Sequence, residues 1–221
     1  TELSCRRNFH VMLTDGLWNA NSNVNYGGNV DTTAVTLPDG TSYSPRAPYR
    51  STTNPPSGLS YSNNLADIAF KYWATDLRSS TTGSPALTNN LTPFTVDRSG
   101  TAADQYWNPR NNPATWQHMV NFNISFGLGS VLTDPLWGGS TYAGDFAALS
   151  AGTKHWPPTD EAPTTNNEPD GHVYDLWHAA INSRGQFFNA DDPAVRANRL
   201  ALLKRLADRF RAVAAIEHLS G

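Results

Sequence analysis

The chain has 221 residues, a formal net charge of −3, 38% hydrophobic residues and 16% charged residues. That balance gives no support for a nucleic-acid partner or for binding an anionic membrane surface, and no apolar run approaches a bilayer span. A single cysteine, Cys5, excludes an internal disulfide framework, whereas seven Trp, nine Phe and eight Tyr are ample material for one core.

The first element is the run Phe9-His10-Val11-Met12-Leu13, which ends in a Thr14-Asp15-Gly16 corner. Apolar residues occur on both alternating sets, Phe9/Val11/Leu13 and Met12, and predict a central strand of a parallel sheet with both faces buried. Asp15 would emerge at the carboxyl end of that strand, where such sheets bind ligands. Residues 19–63 are rich in Asn, Ser, Thr, Gly and Pro and read as a long loop with a short hairpin around Asp39-Gly40. Leu65, Ile68, Ala69, Tyr72, Trp73 and Leu77 recur at helical spacing, with Asn64 as N-cap and Asp67 three residues on.

Residues 79–115 read as a second loop. Val120, Phe122, Ile124, Phe126 and Leu128 then alternate with Asn121, Asn123, Ser125, Gly127 and Gly129. This predicts a strand with one apolar and one polar face, less completely covered than the first. A third loop spans about 129–172. Residues 173–184 read as a helix stopped by Gly185, and Gln186-Phe187-Phe188 as a short strand. Asp192 and Pro193 open a last helix over about 193–218, with Leu202, Leu203, Leu206, Phe210 and Val213 as its apolar stripe. The order is β-α-β-α-β-α: an α/β fold with an open, mostly parallel sheet, flanking helices and long loop insertions.

Few motifs carry chemistry. Asp97-Arg98-Ser99-Gly100-Thr101 has the Asp-x-Ser-x-Thr form of a metal loop, but such a pattern arises readily by chance in Ser/Thr-rich sequence. Asn19, Asn21, Asn23 and Asn25 mimic calcium-loop spacing without its carboxylates. Gly127-Leu128-Gly129 lacks the third glycine of a dinucleotide loop. His172 and His178 have no zinc-like partners and read as capping or packing residues. Gly-x-Ser-x-Gly, His-Glu-x-x-His and Cys-x-x-Cys are all missing, which removes the usual handle for three enzyme classes. The loop tryptophans Trp107, Trp137 and Trp156 either form a partner-contact surface or pin the insertions down. Asp160, Glu161, Glu168 and Asp170 are the carboxylates a loop-borne hydrolase or carbohydrate-acting enzyme would use.

Four segments together resemble a known family: Met12-Leu13-Thr14-Asp15-Gly16-Leu17-Trp18-Asn19, Leu65-Ala66-Asp67-Ile68-Ala69-Phe70-Lys71-Tyr72-Trp73, Trp116-Gln117-His118-Met119-Val120-Asn121-Phe122, and Asp175-Leu176-Trp177-His178-Ala179-Ala180-Ile181-Asn182. They are similar to the type IV pilus tip-associated adhesin and biogenesis proteins, the PilY family, from about Cys5 to Leu206. The Thr-Asp-Gly corner resembles the fourth strand of a von Willebrand factor A-type domain. On that resemblance residues 1–221 are a single partial A-type domain, its second half, without the upstream half and without a calcium-binding β-propeller.

The resemblance implies a non-enzymatic adhesion or pilus-biogenesis module, exported through the periplasm to the bacterial cell surface or pilus tip. It implies that Asp15 is a metal ligand, to magnesium or calcium, in the intact domain, with no metal expected for this fragment alone. Implied partners are pilus components and a protein or surface receptor, with no nucleic acid and no membrane span. The open edge of the first strand would be covered by the missing N-terminal half or by a second copy. A purely structural half-domain that links neighbouring regions is a further reading.

Overall fold

The computed structural model describes residues 3–15, 27–51, 63–83, 85–126, 129–157, 159 and 170–190. Strand β1 (Asn8–Thr14) comes first. The expected hairpin follows as β2 (Val35–Thr36) and β3 (Ser42–Tyr43), an antiparallel pair. Its turn is closed by Leu37 N–H to the Thr41 carbonyl, with Gly40 at φ 85° supplying the left-handed residue. Helix α1 (Leu65–Ala74) starts where its cap predicts: the Asn64 side chain accepts from Asp67 N–H at 2.8 Å.

The stretch read as loop over 79–115 contains a short helix, α2 (Ala102–Trp107), held by a reciprocal capping box between Thr101 and Asp104. Strand β4 (Met119–Ser125) leads into a 3₁₀ turn at Gly129–Val131 and helix α3 (Phe146–Ala151), both inside the predicted third loop. Helix α4 (Asp170–Asn182) begins a few residues earlier than expected, and β5 (Gln186–Asn189) matches the expected short strand. The helix expected over 193–218 lies outside the described residues.

The three longer strands form a parallel sheet in the order β1-β4-β5. The connections from β1 to β4 and from β4 to β5 advance in the same direction across the sheet. Right-handed crossovers then place α1 and α4 on one face, and there they pack against each other, with α1 on β4 and α4 on β4 and β5. The register puts His10 and Met12 of β1, Asn121 and Asn123 of β4 and Phe187 of β5 toward those helices, and Phe9, Val11, Leu13, Val120, Phe122, Ile124 and Phe188 on the opposite face.

Two sequence expectations are inverted here. Strand β1 is not buried on both faces: Val11 is 42% exposed and Leu13 60%. Strand β4, expected to be the less covered, is the central one, with Val120, Phe122 and Ile124 buried on one face and Asn123 and Ser125 on the other. Periodicity reports what a strand is able to bury, and position in the sheet decides what it does bury. Among the described residues β1 pairs only with β4, so it is an edge. On the polar face of β4, Asn123 Nδ2 donates to the Leu176 carbonyl of α4 at 2.7 Å, while the Ser125 hydroxyl is buried without a hydrogen-bond partner among the described residues.

The main core lies between the helices and the loops that cross them. Trp73, Trp116, Trp177, Tyr43, Tyr49, Phe70 and Phe187 are all within 2% of full burial, each contributing about 1.5–3 kcal/mol of apolar transfer or more. At the end of α4 the left-handed residue is Arg184 (φ 64°), not Gly185. Arg184 N–H bonds the Ile181 carbonyl and Gly185 N–H the Ala180 carbonyl, which is a Schellman stop. The Arg184 guanidinium is buried between the Tyr49 and Trp73 rings, 4.3 and 4.4 Å from their centroids. Burial lowers its pKa to about 9.

Gly185 is required for a different reason, since a Cβ there would stand 1.7 Å from the Asn121 carbonyl oxygen on backbone that cannot swing away. Gly185→Ala is expected to cost about 3 kcal/mol. Thermal denaturation checks this as a fall in Tm of about 6–12 °C; a fall of less than about 2 °C would show that the β4–β5 junction relaxes freely.

Candidate functional site

Asp15 is exposed at the carboxyl end of β1. Among the described residues no group of three or more His, Cys, Asp or Glu could hold a metal ion. The described part therefore does not fit a complete divalent-ion site, because Mg²⁺ and Ca²⁺ need several oxygen ligands in a fixed cage. Asp97-x-Ser-x-Thr is a turn and a cap. Ser99 donates its N–H and Oγ–H to Asp97 Oδ1 (2.9 and 2.6 Å), and Thr101 caps α2. Asn19, Asn21, Asn23, Asn25, Asp160, Glu161 and Glu168 fall outside the described residues, and Asp170 opens α4 with its side chain outside them.

The loop tryptophans are turned inward. Trp156 is buried, donates Nε1–H to the Pro48 carbonyl at 2.7 Å and stacks on His178 at 4.5 Å. That burial removes it from the contact-surface candidates. Trp137 is half-buried, edge-on to Trp177 and Phe187 at 5.2 and 4.9 Å. Trp107, also half-buried, packs on Tyr106 and Tyr43, with the Arg46 guanidinium 5.1 Å above its ring. In all three, the ring contacts tie an insertion to the core.

The site that sequence reasoning missed is a buried carboxylate network. Asp175 of α4 accepts Leu65 N–H and Ala66 N–H with its two oxygens at 2.7 and 2.9 Å. These belong to the first turn of α1, whose N–H groups have no partner within the helix. Asp31 accepts from Ser51 N–H and Oγ–H, both at 3.0 Å, and from Asn182 Nδ2 at 3.3 Å. Its own N–H donates to Asp67 Oδ1 at 3.1 Å, and Asn182 also donates to the Ala66 carbonyl at 3.1 Å. His178 donates Nε2–H to the Tyr49 carbonyl at 2.7 Å and lies 3.8 Å from Asp31.

Burial raises the Asp175 carboxyl to about 7 and Asp67 to about 6. Asp31 is held well above the ordinary range, first by burial and then by the Asp67 charge. His178 is pushed down to about 3, and His118 to about 4, by burial. With Asp31 and Asp67 fully buried and Asp175 at 4% exposure, these groups meet no substrate. Their chemistry is mechanical, tying residues 31–51, α1 and α4 into one unit. A signal was present in the sequence: Asp175, His178 and Asn182 stand at i, i+3 and i+7 on a helix whose other residues from Val173 onward are apolar or aromatic.

A surface groove lies beside β1. An apolar groove of about 250 Å³ runs between His10 and Met12 of β1 and Leu65, Ile68 and Tyr72 of α1, floored by Asn121 and Asn123. The described residues thus form an α/β layer module with β1 and β5 as the end strands of the sheet, the β5 edge met by Thr141, which bonds the Phe187 N–H and carbonyl.

Comparison with known proteins shows where it belongs. The chain is 49% identical over 193 residues, 86% of its length, to the type IV pilus biogenesis factor PilY1 of Pseudomonas aeruginosa strain UCBPP-PA14, and 47% identical over 194 residues to PilY1 of strain PAK. It belongs to the PilY family. The chain spans about 15% of the length of these curated relatives. A separate likeness of 36 residues, 16% of the chain, is 72% identical to 5% of the glycine–tRNA ligase beta subunit of Xanthomonas campestris pv. campestris strain B100. No family model and no solved structure matches the chain.

The network makes stability pH-dependent, with opposite signs for its two kinds of group. Asp175, raised from 3.8 to about 7, keeps its proton in the folded state while the unfolded chain loses it. Its stabilisation is complete below pH 4 and is lost as pH rises through 7. His178, lowered from 6.5 to about 3, contributes in the other sense, and its share is lost as pH falls through 6.5 toward 3. Asp175→Asn removes the first effect, so the stability gap between the native chain and the variant is expected to narrow from pH 5 to pH 8. The slope is up to about 1.4 kcal/mol per pH unit. Urea unfolding across that range is the check, and a gap that stays constant would contradict the assignment.

Proposed function

We propose that this chain is a non-enzymatic module of a bacterial type IV pilus biogenesis factor, acting in pilus assembly and surface adhesion. The likeness to PilY1 over 86% of the chain carries this reading. Two features of the described residues support the absence of catalysis: the carboxylates that gather are buried in structural hydrogen bonds, and the groove beside β1 is apolar. In this reading the module works at the cell surface or pilus tip, with pilus components and a surface receptor as partners. It is the second half of an A-type domain, and the edge of β1 is covered by the remaining half or by a second copy. Asp15 becomes a ligand to magnesium or calcium only in the complete domain, where other segments supply the missing oxygens.

The test exchanges the matched segment of P. aeruginosa PilY1 for this chain. Deleting the segment is expected to abolish surface pili and exchange to restore them, scored by sheared-pilin quantification. Asp15→Ala in the exchanged protein is expected to lower cell adhesion at least about ten-fold, equivalent to about 1.4 kcal/mol. Unchanged adhesion and piliation in that variant would remove Asp15 from the function.

A further inference from the structure

Among the described residues β5 pairs only with β4, and its sequence makes that end of the sheet adhesive. The run Gly185-Gln186-Phe187-Phe188-Asn189-Ala190 carries no charge and no proline, and its aromatic pair favours strand pairing. An edge of that kind recruits other strands unless something covers it.

The register shows which backbone groups need covering. Ala190 N–H bonds the Ser125 carbonyl, so the even-numbered residues of β5 turn their N–H and carbonyl toward β4. Phe187, one step out of phase, turns both groups away from β4. A neighbouring strand would meet them with one carbonyl and one N–H. Here a single hydroxyl does both: Thr141 Oγ1 accepts the Phe187 N–H at 2.9 Å and donates to the Phe187 carbonyl at 3.1 Å. The Tyr142 hydroxyl lies 3.3 Å from the Gly185 carbonyl and 3.1 Å from that of Pro109. Side-chain hydroxyls thus stand where the backbone of a further strand would.

These two residues belong to a loop with its own closure. Leu136 N–H bonds Asp145 Oδ2 at 2.7 Å, and Asp145 N–H returns to the Leu136 carbonyl at 3.0 Å. The neck is so narrow that a Cβ on Gly138 would stand 2.2 Å from the Gly144 nitrogen. Lys154 ties Asp145 to Asp134 on the outside. Trp177 Nε1–H holds the Thr141 carbonyl at 2.9 Å, and the Trp137 ring stands edge-on to Phe187 at 4.9 Å. The loop is a compact unit laid along β5.

We infer that residues 136–145 are an autoinhibitory strap: they occupy the outer edge of β5, and with the strap lifted that edge pairs with β5 of a second copy. A second copy fits because two uncharged, identical strands meet without like-charge repulsion, amide beside amide and ring beside ring. The strap acts at the end of the sheet opposite β1, whatever covers β1.

Thr141→Val keeps the side-chain shape and removes the hydroxyl, and Thr141→Ser keeps the hydroxyl. In the purified chain at low concentration, hydrogen–deuterium exchange of the Phe187 amide is expected to be at least about ten-fold faster in Thr141→Val than in the native protein. The amides of β5 that face β4 should not change. Light scattering at rising concentration should then show association beyond that of the native chain, with protection returning at residues 186–189. Thr141→Ser should match the native chain in both. A Thr141→Val chain whose Phe187 stays protected at every concentration overturns the strap. One that exposes Phe187 and gains no association overturns pairing with a second copy. If Thr141→Val does not fold, Asp145→Ala, which opens the neck and leaves Thr141 itself in place, carries the same expectations. In the native chain, a Phe187 amide that exchanges as fast as an unbonded one overturns the inference without any variant.

Discussion

The carboxylate of Asp175 is the interaction on which the arrangement of helices depends. It reaches across from α4 to hold the first two N–H groups of α1, a hundred residues away in the chain. Asn182, two turns further on, holds the Ala66 carbonyl and Asp31. Truncating such a buried group leaves its partners unpaired, which costs about 1–3 kcal/mol for each. The two helices are therefore locked to each other through backbone atoms, and the loop holding Asp31 and Ser51 is fastened to both. A burial that lifts three carboxyls well above their ordinary range destabilises their ionised forms. That cost is offset at Asp175 and Asp31, whose oxygens are met by N–H and O–H donors, whereas Asp67 Oδ2 has no hydrogen-bond partner among the described residues.

Locking α1 to α4 also determines what is left open. Helix α1 packs on β4 and α4 on β4 and β5, so among the described residues no helix covers β1, and Leu65, Ile68 and Tyr72 of α1 face the groove. The long insertions complete the other side of the module. Trp156, Trp137 and Trp107 turn their rings into the core, and Lys154 bridges Asp134 and Asp145 at the surface. Among the described residues the result is asymmetric: one flank is packed with aromatic rings, and the other holds the end strand β1 and the groove.

Local signals in the sequence were legible where they were complete. The Asn64 cap, the Asp39-Gly40 turn and the Gln186-Phe187-Phe188 strand each depend on neighbours within a few residues. Helix α2 was missed although its Thr101-x-x-Asp104 box was present, because its six residues bury no side chain fully and show no apolar period. The stop of α4 was read at Gly185, but the left-handed residue is Arg184, stabilised by two aromatic rings from distant segments. The burial of β1 was overestimated because its composition shows a capacity for covering on both faces, and coverage depends on strands that need not be adjacent in sequence. The carboxylate network was invisible for the same reason: its donors come from three separate stretches. The family was legible from four segments taken in order, the Thr14-Asp15-Gly16 corner being weak alone.

The most direct test of this account is a ¹³C NMR titration of the aspartate side-chain carboxyls in the purified chain. Asp175 is expected to titrate at about 7, Asp67 at about 6, and Asp31 well above the ordinary carboxylate range. The exposed Asp97 and Asp104, lowered by hydrogen bonds from Ser99 and Thr101, serve as internal references below that range. Ordinary midpoints for all three buried groups would mean that water reaches them and that α1 and α4 are not locked by a buried carboxylate network.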